Sequence, residues 1–254
     1  MIDIDLLYVC SLKMVLCIYE DTLDEKDVPL ELREIGIRKG YRRQNLSFLS
    51  CFRSLFTLHN ETFNVWTHLI SFGFYVYYSL TQPLDLWLPE NQSILCILIT
   101  CCLFPLGSAL AHLFMSMSPV IRHICFFIDY ASISLYAFGA GTVNKIYALP
   151  KLWRGGLFEA HYLQAMFLNC VLTVIVACHT RFLPRTRSMT LLRLAAFSMP
   201  YLYGMLPCIY RVLYCGEDNS CEGASYYAKH FFDTIFTVSF YGGHIPEVFF
   251  PWPF

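Results

Sequence analysis

Polar and charged positions crowd the first 60 residues, and long apolar stretches separated by short polar breaks follow. A membrane-spanning helix needs about 20 mostly apolar residues. Six stretches come close to or exceed that length: 63–80, 93–116, 123–147, 161–180, 190–212 and 230–250. They are too long and too continuous for the alternating strands of a membrane barrel. The pattern therefore predicts an all-α fold, a polytopic transmembrane helix bundle with six spans. It divides the chain into an N-terminal segment, 1–57, and a helical bundle, 58–254. The opening run MIDIDLLYVCSLKMVLCIY is broken by Asp3, Asp5 and Lys13. It lacks a basic start and a small-residue cleavage site, so it reads as an interfacial segment and not a signal peptide.

Charge placement orients the bundle. Lys13, Lys26, Arg33, Arg38, Lys39, Arg42, Arg43 and Arg53 precede the first span, whereas the next loop, TQPLDLWLPENQ, has neither Lys nor Arg. Arg181, Arg185 and Arg187 lie between the fourth and fifth spans. Positive residues stay inside, so the N-terminus is expected in the cytosol and the protein in a membrane, the plasma membrane being the expected one. Composition agrees: 56% of residues are hydrophobic, 17% aromatic and 15% charged. Net charge is −1, which leaves no basic footprint for nucleic acid. Cys96, Cys101, Cys102, Cys125, Cys170, Cys178 and Cys208 sit in apolar runs and read as free buried thiols. Cys215 and Cys221 are the pair able to bridge if their loop is extracellular.

The stretch LHNETFNVWTHLI, residues 58–70, marks the first span. Asn60 or Thr62 can cap the helix, and the dipole favours Glu61 in the first turn. Trp66 suits the interface belt. His68 lies within the span and can face a polar interior.

Ionisable groups inside the membrane are the sharper signal. Ser108 and His112 stand four apart, on one face of the second span. Asp129 sits within the apolar run of the third. A carboxylate there costs about 2.5–3.5 kcal/mol on insertion scales, so it faces the bundle interior and has a partner. With an inside N-terminus, His112 and Asp129 both fall within about 10 Å of the cytosolic interface. Spacing alone leaves two readings open: a hydrogen-bonded pair that fixes packing, or part of a zinc site. The histidines, at 59, 68, 112, 123, 161, 179, 230 and 244, include no pair three or four apart. HExxH, a Gly-rich phosphate loop and G-x-S-x-G are absent.

The blocks VPLELREIGIRKGYRR, CFRSLFTLHNETFNVWTHL and SALAHLFMSMSPVIRHICFFIDYASI, with SYYAKHFFDTIF and GGHIPE, resemble the progestin and adipoQ receptor family, its membrane progestin receptor branch above all. The likeness runs from about Val28 to Glu247. It implies a seven-helix bundle with a cytosolic N-terminus, and a receptor for a steroid or other lipid that signals from the membrane. It also implies a zinc site near the inner face, as in a zinc-dependent, ceramidase-like amidohydrolase. His112 corresponds to the family's second-helix metal ligand, and Ser108 and Asp129 to the catalytic serine and aspartate beside it. Two further ligands belong to a seventh helix with H-x₃-H spacing. After GGHIPE this chain reads VFFPWPF to Phe254. The chain as given is therefore expected to lack that helix, to hold zinc poorly on its own and to associate with itself or with complete relatives.

Overall fold

The computed structural model describes residues 22–34, 36–84, 88–184, 186–214 and 223–243. Six long helices occupy the expected segments: α1 (Thr62–Thr81), α2 (Pro89–Phe114), α3 (Pro119–Val143), α4 (Leu157–Thr180), α5 (Arg187–Leu213) and α6 (Ala224–Gly243). They start one to six residues earlier than hydropathy alone predicts, because polar residues and prolines begin them. Pro89 and Pro119 sit in the first turns of α2 and α3, where a missing amide proton costs nothing. The Ser118 hydroxyl accepts from the Ile121 amide, and the Thr186 hydroxyl from that of Met189, which caps α3 and α5. α3 runs on through a wide final turn, Asn144–Ala148.

Among the described residues, Asn91–Phe114, Pro119–Ala148 and Leu157–Thr180 are long and apolar enough to cross a membrane. Polarity is distributed inside out. Phe74, Tyr77, Ile128, Phe167 and Ile175 are exposed, while Ser108, Asp129, Ser132, Ser134 and Thr173 are buried. Lipid solvates the former, and among the latter Thr173 and Ser132 reach backbone carbonyls of neighbouring helices.

α3 lies at the centre, packed on α2, α4 and α5, with α1 on α2, α4 on α5 and α6 on α5. Small residues let the backbones approach. A Cβ on Gly139 would collide with the Thr100 side chain and come within 3.3 Å of the Ile97 Cα. Side-chain hydrogen bonds join the outer helices. Pro200 removes the amide that would serve the Ala196 carbonyl, and Thr173 on α4 donates to that carbonyl at 2.8 Å. Tyr162 and Asn144 both donate to the Gly204 carbonyl, at 2.8 and 2.9 Å.

The segment before α1 closes one end of the bundle. An antiparallel bridge joins Leu23 to Tyr41. A short helix, Phe48–Arg53, capped by Ser47, then lies against the end of α2, where Phe48 stacks on Phe114. The Leu46 amide donates to the Ser116 carbonyl at 3.1 Å. Residues 1–21, Cys215, Cys221 and His244 lie outside the described residues, as do the expectations attached to them. The described cysteines, those of the apolar runs included, are free thiols; Cys170 and Cys208 are fully buried and the rest of the predicted set half-buried.

Candidate functional site

The start of α1 departs from the expected cap. Glu61 occupies the N-cap position with φ −100° and ψ 2°, and its side chain caps nothing. Neither does Asn60 cap the helix; its amide donates to Glu61 Oε1 at 3.2 Å. Thr62 accepts from the amide of His59, ahead of the helix, at 2.8 Å. Glu61 turns instead toward α2. Its Oε2 meets His112 Nδ1 at 2.8 Å and accepts from Asn64 Nδ2 at 2.7 Å. The physical reason is competition: a buried carboxylate gains more from an ionisable partner than from a neutral amide.

Glu61, Asn64 and His68 stand at i, i+3 and i+7, one face of α1. His68 therefore faces inward, with its ring centroid 6.3 Å from that of His112. Its Nδ1 lies 2.7 Å from the Asn64 carbonyl.

Arg42 seals the site from below. It is 2% exposed and donates to the carbonyls of His112 and Leu113, at 2.6 and 2.8 Å, and to Ser54 Oγ at 2.9 Å. A cation at the C-terminal end of α2 complements the helix dipole. Burial alone would raise the pKa of Glu61, but His112, Asn64 and Arg42 together hold it below the usual carboxylate range. With Glu61 ionised, the His112 proton sits on Nδ1. Burial, reinforced by Arg42, pushes the His59 pKa down to about 3, so its neutral Nδ1 accepts from the Glu61 amide at 3.0 Å.

Ser108 lies one turn before His112 on α2 and is buried, as is Asp129 on the facing α3. Asp129 Oδ1 has no hydrogen-bond partner. The structure thus places Ser108, His112 and Asp129 at one end of the α2–α3 interface, but the direct partner of His112 is Glu61. Asn64 is an addition to the site, as are Glu61, which the sequence places in a helix start, and Arg42, which it counts as a cytosolic charge. Among the described residues, no three His, Cys, Asp or Glu side chains form a metal-binding set. Those residues alone do not make a three-ligand zinc site.

Beyond His68 a cavity of about 260 Å³ opens between the first three helices. His68, Ser71 and Tyr75 line it from α1, Phe104 and Pro105 from α2, and Tyr136 from α3. Pro105 deprives the Cys101 carbonyl of its helical amide, which adds a polar point to those of Thr67, His68 and Ser71 along the wall.

The haemolysin-III-related family matches residues 56–254, most of the chain and all six long helices. The chain belongs to this family. The same grouping is the progestin and adipoQ receptor family that the sequence blocks resemble. Mouse membrane progestin receptor gamma is 37% identical over 229 residues, covering 87% of this chain and 68% of the mouse protein. Its human counterpart is 36% identical over 227 residues, with the same shares. Human membrane progestin receptor delta is 34% identical over 234 residues, covering 89% of this chain and 68% of the human protein. Membership in a family of membrane receptors agrees with the inside-out polarity of the helices. Glu61, Ser108, His112 and Asp129 all fall within the haemolysin-III-related match, whereas Arg42 precedes it.

Proposed function

We propose that the chain is a membrane receptor of the progestin and adipoQ type, which takes a steroid or another lipid between α1, α2 and α3 and signals from the plasma membrane. The observation that carries this reading is the cavity beside His68, apolar over most of its wall with a few polar groups along it. Ligand pockets have this make-up, and usual volumes run from about 300 to 1,000 Å³. A cavity of about 260 Å³ takes one end of such a ligand, with the rest extending toward the bilayer. The names of the gamma and delta relatives support a progestin as the first ligand to try.

In this reading the bundle has six spans in the described chain, with its N-terminal segment in the cytosol. Ser108, His112 and Asp129 form the polar floor beneath the ligand, held by Glu61. A zinc-dependent amidohydrolase at the same point needs ligands beyond those that the described residues supply.

The test is equilibrium binding of a radiolabelled progestin to the full chain in lipid nanodiscs. Saturable uptake, competed by unlabelled steroid and weakened about tenfold when Phe104→Trp fills the cavity, is the expected outcome. Uptake equal to that of empty nanodiscs overturns the steroid reading. Chelator-sensitive release of fatty acid from ceramide supports the hydrolase instead.

A further inference from the structure

A second charged cluster lies beside the His112 site, where α3, α4 and α5 meet, with the Phe126 ring, 5.8 Å from that of His112, between the two. Arg181 closes α4 and Arg193 stands nearly two turns into α5. Both reach Tyr130 of α3, which is itself buried. Arg181 donates to the Tyr130 hydroxyl at 3.2 Å and lays its guanidinium over Phe126, 4.0 Å from the ring centroid. The Arg193 guanidinium sits 5.6 Å from the Tyr130 ring centroid, and its Nε donates to Thr180 Oγ1 at 3.0 Å.

This geometry is inherent in the helices. Side chains lean toward the N-terminal end of their own helix. Tyr130 therefore leans toward the start of α3, and Arg181, at the end of the antiparallel α4, leans back into the bundle to meet it.

No carboxylate contacts the cluster among the described residues; Asp129, the residue before Tyr130, acts on Arg181 only from a distance. Two half-buried guanidinium groups share one tyrosine, and among the described residues neither pairs with a carboxylate. Arg181 Nε is buried without a hydrogen-bond partner. His123, stacked on Phe182 beside Arg181, has its Nδ1 buried without a partner too. Asp129 Oδ1 is buried and makes no hydrogen bond to either arginine. Like charges held close in a poorly solvating environment repel, and an anion between them relieves this.

We infer that Arg181, Arg193 and Tyr130 form a binding site for a phosphate group. Two planar forks match phosphate oxygens bidentately, which a lysine ammonium does not. The Tyr130 hydroxyl accepts from Arg181 and keeps its own proton for the same ligand. The phosphate comes either from a lipid headgroup in the adjoining leaflet or from a soluble phosphate.

The experiment uses the full chain in nanodiscs, with lipids retained on the released protein counted by native mass spectrometry. The probes are phosphatidic acid against phosphatidylcholine, with millimolar inorganic phosphate as competitor. Retention of phosphatidic acid over phosphatidylcholine is expected, falling about tenfold in Arg193→Gln and by less in the milder Tyr130→Phe. Arg187→Gln, exposed at the start of α5, is expected to change nothing. Displacement by inorganic phosphate assigns the site to a soluble ligand, and resistance to it assigns a headgroup. Saturable phosphate binding without lipid preference, lost in Arg193→Gln, also upholds the site. No binding of either probe overturns it. So does an equal loss in Arg187→Gln, which means only diffuse attraction.

Discussion

Glu61 and His112 are the residues on which the site turns, and they are 51 positions apart. Removing one member of a buried pair strands the other. Glu61→Ala is expected to cost about 3–5 kcal/mol, read from unfolding in mixed micelles, and Glu61→Gln less, since an amide oxygen still accepts from Asn64. A loss under about 1 kcal/mol contradicts the pairing, because only exposed pairs are worth so little. His59 gives the pH dependence. Its folded pKa, about 3, is depressed below the ordinary 6.5. Above that ordinary value both states are neutral and stability is full. As pH falls from about 6.5 toward 3, the unfolded chain takes up a proton that the folded one does not, and stability drops. His59→Gln is expected to flatten that part of the stability profile. The sequence could not reveal the pair, because an acid in a first helical turn is satisfied by the dipole whether or not a histidine faces it. Arg42 was hidden similarly: it stands beside Arg43 in one basic run, yet Arg42 is buried and Arg43 exposed.

The long helices were legible as elements because bilayer thickness imposes a length that hydropathy records directly. Their caps shifted the starts, and the wide turn after Val143 left no mark in the pattern. Ser108 and Asp129 were legible as inward residues, since lipid tolerates neither. Close approach was not legible, as a glycine in an apolar run looks the same wherever it faces. Gly139→Leu is expected to destabilise by about 1–3 kcal/mol through its collision at α2. Gly73→Ala, with nothing within 4 Å of the added carbon, is expected to be silent or slightly stabilising. Thr173→Val deletes the hydroxyl that serves the Ala196 carbonyl, and a loss of about 0.5–2 kcal/mol is expected in the same unfolding assay.

For the whole molecule, one end of the bundle carries most of the chemistry. The N-terminal segment, the Glu61–His112 pair, Asp129 and the arginines around Tyr130 gather there, with the cavity above. Polar groups converge because in lipid they can be satisfied only within the protein. The arrangement places a ligand within reach of a floor that the N-terminal segment holds through Arg42. Arg42→Ala is expected to loosen that floor, seen as faster amide exchange at the end of α2 with α4 and α5 unaffected.

The most direct measurement is photoaffinity labelling of the full chain in nanodiscs with a photoreactive progestin, mapped by peptide mass spectrometry. The account predicts saturable labelling at Ser71–Tyr75, Phe104 and Tyr136, suppressed by unlabelled steroid. Labelling that does not saturate, or that falls on the lipid-facing surfaces of α4 and α5, contradicts it.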